Sequence, residues 1–274
     1  MAGGLRFAAN CSMLFTEHPL LKRPSAARAC GFDGVEFWWP FESAVPQGHD
    51  VDAFVSAMDA SGVRLIALNF FAGDRAAGER GIVCRPDRVH EFRANLAVVA
   101  ELGQRLGCRT FNALYGNIAP GDDASAARRT AVANLDAAAA AVDQFGGVIV
   151  LEPLSDPHPY PLRTSSDVLD VITTVRQSSG CRNLKVLADI YHLATNGDDI
   201  DFLFNSRLGE IGHVQIADAP GRHEPGTGTL PIRHYLRLLD DVDYAGWIGL
   251  EYAPTGQTAE SLQWMGSGHW SGKR

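Results

Sequence analysis

Glu152, Asp189, Gln215 and Glu251 share a setting that suits chemistry: each closes a short apolar run with an oxygen-bearing side chain. The runs are Val148-Ile149-Val150-Leu151, Leu184-Lys185-Val186-Leu187-Ala188, Ile211-Gly212-His213-Val214 and Trp247-Ile248-Gly249-Leu250. Unbroken branched apolar sequence reads as a strand covered on both faces, as in a parallel sheet. An ionised carboxylate is costly inside such a strand, but the strand's carboxyl end can present it to a site. Pro153 cannot donate to a ladder, so the first run stops directly after Glu152.

Three carboxylates brought together repel one another and raise each other's pKa unless a cation neutralises them. An oxygen-rich set with an amide suits Mg²⁺ or Mn²⁺, water or substrate filling the remaining positions. The expected metal ligands are therefore Glu152, Asp189, Gln215 and Glu251. Two glutamates on opposite sides of a metal-bound substrate can pass a proton across adjacent carbons, one removing it and the other returning it. That is aldose–ketose isomerisation or epimerisation, with Glu152 and Glu251 as the catalytic pair. The bland alternative is that each polar residue only marks where a strand leaves the core, and four in register argue against it.

Other residues join by position. His192 lies three residues past Asp189, and Arg222 is the only arginine in the loop Pro220–Gly228, where it can clamp a carboxylate or hydroxyl. His213 lies two residues before Gln215 and so shares its inward face, either supporting a ligand or filling the barrel.

The elements that must position these residues alternate along the chain. Strands are expected over Leu5–Asn10, Gly34–Phe37, Val63–Asn69, Cys108–Leu114 and the four runs above. Helical spacing covers Leu20–Cys30, starting or kinking at Pro24, then Asp50–Ser61, Glu91–Leu106, Ala124–Gln144, Ser165–Gln177 and Pro231–Asp240. Ser165 or Ser166 is the expected N-cap of the fifth, while Gly31, Gly62 and Gly107 follow helix ends. The alanine-rich stretch Ala137–Ala141 suits a closely packed helix. A long loop, Phe70–Pro86, has the length of a functional one. Strand then helix eight times over is the arithmetic of a single (β/α)8 TIM barrel, residues 1–274 forming one domain. An open doubly wound sheet normally has a Gly-rich first turn, and Ala8-Ala9-Asn10-Cys11-Ser12 has none.

Composition narrows the partners. The formal net charge is −8, with no basic run, which argues against nucleic acid. There is no apolar run long enough to span a membrane and no signal-peptide pattern at the N-terminus. The five cysteines include no C-x-x-C pair and read as reduced core thiols of a cytoplasmic protein.

At these residues the sequence resembles the hydroxypyruvate isomerase family, within the xylose-isomerase-like TIM barrels. The matching segments run nearly end to end: Phe7–Phe15, Gly31–Phe37, Ala72–Ile82 (AGDRAAGERGI), Leu151–Leu154, Asp189–His192, Gly212–Asp218 (GHVQIAD), Glu224–Gly228 (EPGTG) and Tyr244–Tyr252. The resemblance implies a divalent metal on Glu152, Asp189, Gln215 and Glu251, with the two glutamates transferring the proton. It also implies substrate contacts from His192 and Arg222, and a loop carrying Glu79 and Arg80 over the site. The implied reaction interconverts hydroxypyruvate and 2-hydroxy-3-oxopropanoate, and the runner-up is a 2-oxo-tetronate isomerase or ketose 3-epimerase. Apurinic-site endonucleases use the same barrel but need more His and carboxylate ligands and a basic DNA face. A catalytically dead sugar-binding protein is a further alternative, against which the Glu152/Glu251 pair stands. Homodimers and homotetramers are common among similar barrels, though no interface signature is visible here. Ser155 with the following Asp156-Pro157-His158-Pro159, Ala219, and Trp38-Trp39 depart from the family pattern, and all touch the site's walls.

Overall fold

Eight short strands are mostly apolar between their ends because both of their faces are covered. They are β1 (Arg6–Asn10), β2 (Gly34–Phe37), β3 (Arg64–Asn69), β4 (Thr110–Asn112), β5 (Val148–Leu151), β6 (Leu184–Asp189), β7 (Ile211–Ile216) and β8 (Trp247–Leu250). In this computed structural model, which describes residues 4–155 and 158–266, they pair in chain order. Parallel pairing of Arg6 with Trp247 and of Ala9 with Leu250 joins β1 to β8 and closes the barrel. Asp156 and Pro157 lie outside the described residues.

Helices cover the outer face: α1 (Arg23–Ala29), α2 (Gly48–Ser61), α3 (Val89–Leu106), α4 (Ala124–Asp143), α5 (Ser165–Ser179), α6 (Ile190–Thr195), α7 (Ile200–Ser206), α8 (Ile232–Asp241), α9 (Thr258–Ser261) and α10 (Gln263–Gly266). In α3, Phe92, Leu96, Val99 and Leu102 recur at helical spacing and are buried, Phe92 stacking on Phe70 of the β3 exit. Truncating Leu102, which is fully buried, would cost about 2–5 kcal/mol. In α4 the buried face includes Ala127, Ala131, Ala138 and Ala139, so this helix lies close to the sheet.

Some expected details are corrected. Thr164, not Ser165 or Ser166, caps α5: its hydroxyl accepts the Asp167 N–H while the Asp167 carboxylate accepts the Thr164 N–H. The cap thus lies one residue before Ser165, where the helix starts as expected. The Leu20–Cys30 stretch divides into a 3-10 turn (Leu20–Lys22) and α1, with Pro24 in the first turn, where its missing N–H costs nothing. The short helices α6 and α7 fill the β6–β7 crossover, to which no helical pattern was assigned. All five cysteines are free; Cys11, Cys84 and Cys108 are buried, but Cys30 is exposed and Cys181 half-buried, so those two are not core residues. Among the described residues no helix is long and apolar enough to cross a membrane.

Candidate active site

Every strand carries a polar residue within one position of its carboxyl end, so eight polar residues gather at that end of the barrel. Asn10, Glu36, Asn69, Asn112, Glu152, Asp189, Gln215 and Glu251 come from β1 to β8 in turn, and none is more than 6% exposed. Four of them are the expected metal ligands. Glu152 and Glu251 stand one residue past β5 and β8, while Asp189 and Gln215 are register partners on β6 and β7.

Each group is held by neighbours. Asn112 Nδ2 donates to Glu152 Oε2 at 2.7 Å, and Trp38 Nε1 donates to Glu251 Oε1 at 2.7 Å. Asp189 also caps α6 by accepting the Tyr191 N–H. Gln215 Nε2 donates to Glu36 Oε1 at 2.6 Å, which leaves Gln215 Oε1 buried without a partner. Glu36 further contacts His213 Nε2 at 2.5 Å and accepts Asn10 Nδ2 at 2.9 Å. His213 therefore supports the site through Glu36. This buried network requires Gly249, because a Cβ there would lie 2.4 Å from the Glu36 carboxylate oxygens.

Electrostatics follow from burial. Desolvation first, then repulsion from Glu251 and Asp189, raises the Glu152 carboxyl well above its usual range. Burial pushes Glu251 up to about 7, with Arg222 opposing the shift. Burial also raises Asp189, again against Arg222. Arg222 Nη2 lies 3.0 Å from Asp189 Oδ2 and 3.1 Å from Glu251 Oε1, a cation set between two carboxylates. Burial works against the charge on Arg222, but the carboxylates outweigh it and hold the guanidinium above its ordinary pKa. The loop that presents Arg222 is wound on Asp218, whose carboxylate accepts the N–H groups of Ala219, Gly226 and Leu230.

His192 sits in the first turn of α6, its Nε2 3.8 Å from Glu152 Oε1 and 3.7 Å from Asp189 Oδ2. Burial, then the surrounding guanidiniums of Arg222, Arg163, Arg75 and Arg80, holds it well below its usual pKa, so it is neutral. The Ser155 N–H donates to Nδ1 at 2.9 Å, which assigns the ring's own proton to Nε2.

The loop over the site divides the remaining expectations. Arg80 lines the central cavity, and its Nη1 donates to the Arg75 and Glu79 carbonyls. Glu79 is not on that wall: its carboxylate takes both contacts from Arg88 Nη1, at 2.8 and 2.9 Å, and accepts the Asp74 N–H. Arg75, Asn112 and Glu36 are site residues that sequence reasoning missed, while Trp38, expected on the site's wall, does line the central cavity. For Glu36 and Asn112 the missed signal was the rule already applied to later strands, a short apolar run ending polar.

The donor set fits a divalent cation. Gln215 Oε1 is a buried acceptor without a donor, and the three buried carboxylates call for a counter-charge. Ligand atoms of Glu152, Asp189 and His192 lie within 4.8 Å of one another, a cluster that could hold a metal. The Nε2 proton makes His192 a donor rather than a ligand, so the oxygen set Glu152, Asp189, Gln215 and Glu251 is the better match.

The family model for the xylose isomerase-like TIM barrel matches residues 24–267. The hydroxypyruvate isomerase of Escherichia coli is 36% identical over 263 residues, covering 95% of this chain and 98% of that protein. The 2-oxo-tetronate isomerase of Cupriavidus necator is 35% identical over 262 residues, covering 95% and 97%. A crystal structure from Brucella melitensis, described as an AP endonuclease, family 2, has a TM-score of 0.86 at 33% identity, covering 96% of this chain and 98% of that one.

Proposed function

The chain belongs to the xylose isomerase-like TIM barrel family, and we propose that it is a divalent-metal isomerase interconverting hydroxypyruvate and 2-hydroxy-3-oxopropanoate. Similarity to hydroxypyruvate isomerase over nearly the whole chain supports isomerase action on a small hydroxy-oxo acid. The observation that carries the mechanism is that Glu152 and Glu251 line one small cavity, both buried and both with raised pKa.

Glu152, Asp189, Gln215 and Glu251 would hold the cation, Mg²⁺ or Mn²⁺ on donor chemistry. That cation would polarise the substrate carbonyl and offset negative charge developing on its oxygens. One glutamate takes the proton from the hydroxymethyl carbon, and the other delivers a proton to the former carbonyl carbon. The hydroxyl proton moves to the neighbouring oxygen, so the enediol between the two isomers collapses to the aldehyde. Without the cation, burial pushes the Glu251 carboxyl up to about 7; the cation's charge would favour the ionised form, the form that takes a proton. Asn112 and Trp38 keep the two carboxylates in place, and His192 Nε2–H donates to a substrate oxygen.

The similarity to 2-oxo-tetronate isomerase favours a four-carbon hydroxy-oxo acid as the second substrate, and a ketose 3-epimerase could use the same pair. Endonuclease chemistry is disfavoured by the −8 charge and by His213 being committed to Glu36. We place residues 1–274 in one isomerase domain, cytoplasmic in keeping with five free thiols, and self-associating as a homodimer or homotetramer like similar barrels. The test is to strip the protein with chelator, restore Mg²⁺ or Mn²⁺, and follow hydroxypyruvate by NMR. Metal-restored conversion to 2-hydroxy-3-oxopropanoate is expected. Conversion of neither hydroxypyruvate nor 2-oxo-tetronate would overturn the reading.

A further inference from the structure

Three guanidiniums, those of Arg75, Arg80 and Arg222, line the central cavity of about 100 Å³ that also holds Glu152 and Glu251. Two of them are committed. Arg222 lies between Asp189 and Glu251, and Arg80 donates to backbone carbonyls of its own loop. Arg75 is different. Its guanidinium lies over the Trp38 ring, 3.8 Å from the centroid, and makes no hydrogen bond or ion pair among the described residues.

A guanidinium laid over an indole is held by cation–π attraction while its N–H groups stay free for an acceptor. A neutral sugar gives no reason to keep an uncommitted guanidinium on a cavity wall. A carboxylate does, because the fork of N–H groups matches two carboxylate oxygens. Trp38 has a second role, since its Nε1 donates to Glu251. One side chain therefore sets both the proton-transfer carboxylate and the position of Arg75, which keeps a bound carboxylate close to the reacting carbons. An outer cavity of about 600 Å³ shares Trp38, Asn69 and Arg75 among its lining residues, so the stack borders both cavities. A central volume of about 100 Å³ is well below the roughly 300–1,000 Å³ that holds drug-sized ligands, and suits a short acid.

We infer that Arg75, carried on Trp38, is the specificity-determining residue that recognises the substrate's carboxylate and selects short hydroxy-oxo acids over neutral ketoses. The inference rests on the hydroxy-oxo acid reading above, but binding tests it separately from turnover.

The experiment is calorimetric titration of the Mn²⁺-loaded protein with tartronate, a short hydroxy-diacid with no oxo group to isomerise. Dihydroxyacetone serves as the neutral three-carbon probe. Wild type, Arg75→Leu and Arg75→Lys are compared, each first titrated with Mn²⁺ to show an intact site. Arg75→Leu should weaken tartronate by roughly 30- to 100-fold, and Arg75→Lys by less, while dihydroxyacetone changes under about 3-fold. Equal loss for both probes, or unchanged tartronate binding in Arg75→Leu, would overturn the assignment. If Arg75 governs tartronate binding but the wild type isomerises no hydroxy-oxo acid, the carboxylate site stands and the reaction falls. Turnover of hydroxypyruvate alongside Arg75-independent tartronate binding keeps the reaction and removes the carboxylate site.

Discussion

Gln215 Nε2 donates to Glu36 Oε1 at 2.6 Å, and this single contact turns the other end of the amide, Oε1, inward as a buried acceptor with no donor. Glu36 stands on β2 and Gln215 on β7, so the contact spans the barrel past Gly249 of β8. A strand-two carboxylate thus fixes the orientation of an expected metal ligand on strand seven.

Removing that support should loosen the cation. Glu36→Ala leaves Gln215 and His213 without their shared acceptor, and a loss of roughly 10- to 100-fold in Mn²⁺ affinity is expected. Gly249→Ala should act in the same direction, since its new Cβ collides with the Glu36 carboxylate. Titration of Mn²⁺ followed by electron paramagnetic resonance reads both, and wild-type affinity in both variants would refute the supporting role.

The metal-free protein should lose stability as pH rises. The Glu251 carboxyl titrates near 4.5 in an unfolded chain but is pushed up to about 7 by burial in the fold, so the folded state holds the extra proton between those values. Stability present below the lower value is lost as pH rises through the upper one. Measured in chelator, the melting temperature of wild type relative to Glu251→Gln should therefore fall between about pH 5 and pH 8. Added Mn²⁺ should restore it at the higher pH. A difference that does not vary with pH would show that Glu251 is not strained in this way.

The role proposed for His192 runs through its Nε2 proton, which the Ser155 N–H assigns by donating to Nδ1. Ser155→Ala keeps that N–H and should change kcat/KM by less than about 3-fold. His192→Phe removes the donor and should lower kcat/KM by roughly 10- to 100-fold. Steady-state kinetics with hydroxypyruvate separate the two, and equal effects would reassign the role to the Ser155 hydroxyl, which lies 2.8 Å from His192 Nδ1.

Much of this was legible because strand sequences are local. Val148–Leu151 followed by Glu152-Pro153 announces a buried strand with a displayed carboxylate, and β6 spans Leu184–Asp189 as expected. Glu36 and Asn112 obey the same rule, but their strands are short and Glu36 is followed by Phe37-Trp38-Trp39, which reads as continued apolar sequence. Pairings across the barrel, such as Glu36 with His213 or Trp38 with Glu251, join residues about 180 to 210 positions apart, and no local pattern encodes them. Glu79 and Arg88 are only nine positions apart, but their pairing is set, like the freedom of Arg75, by how an irregular loop folds, which has no periodic signature in sequence. The α5 cap was a narrower case, decided by the reciprocal Thr164–Asp167 pair.

The central claim is proton transfer by Glu152 and Glu251, and solvent exchange tests it most directly. Hydroxypyruvate would be incubated in D₂O with wild type, Glu152→Gln and Glu251→Gln, with and without Mg²⁺ or Mn²⁺, and deuterium at carbon followed by NMR. Metal-dependent incorporation by wild type, reduced about 10²- to 10⁴-fold in each variant, is the expected result. Incorporation that persists in both variants, or that ignores the metal, would contradict the account.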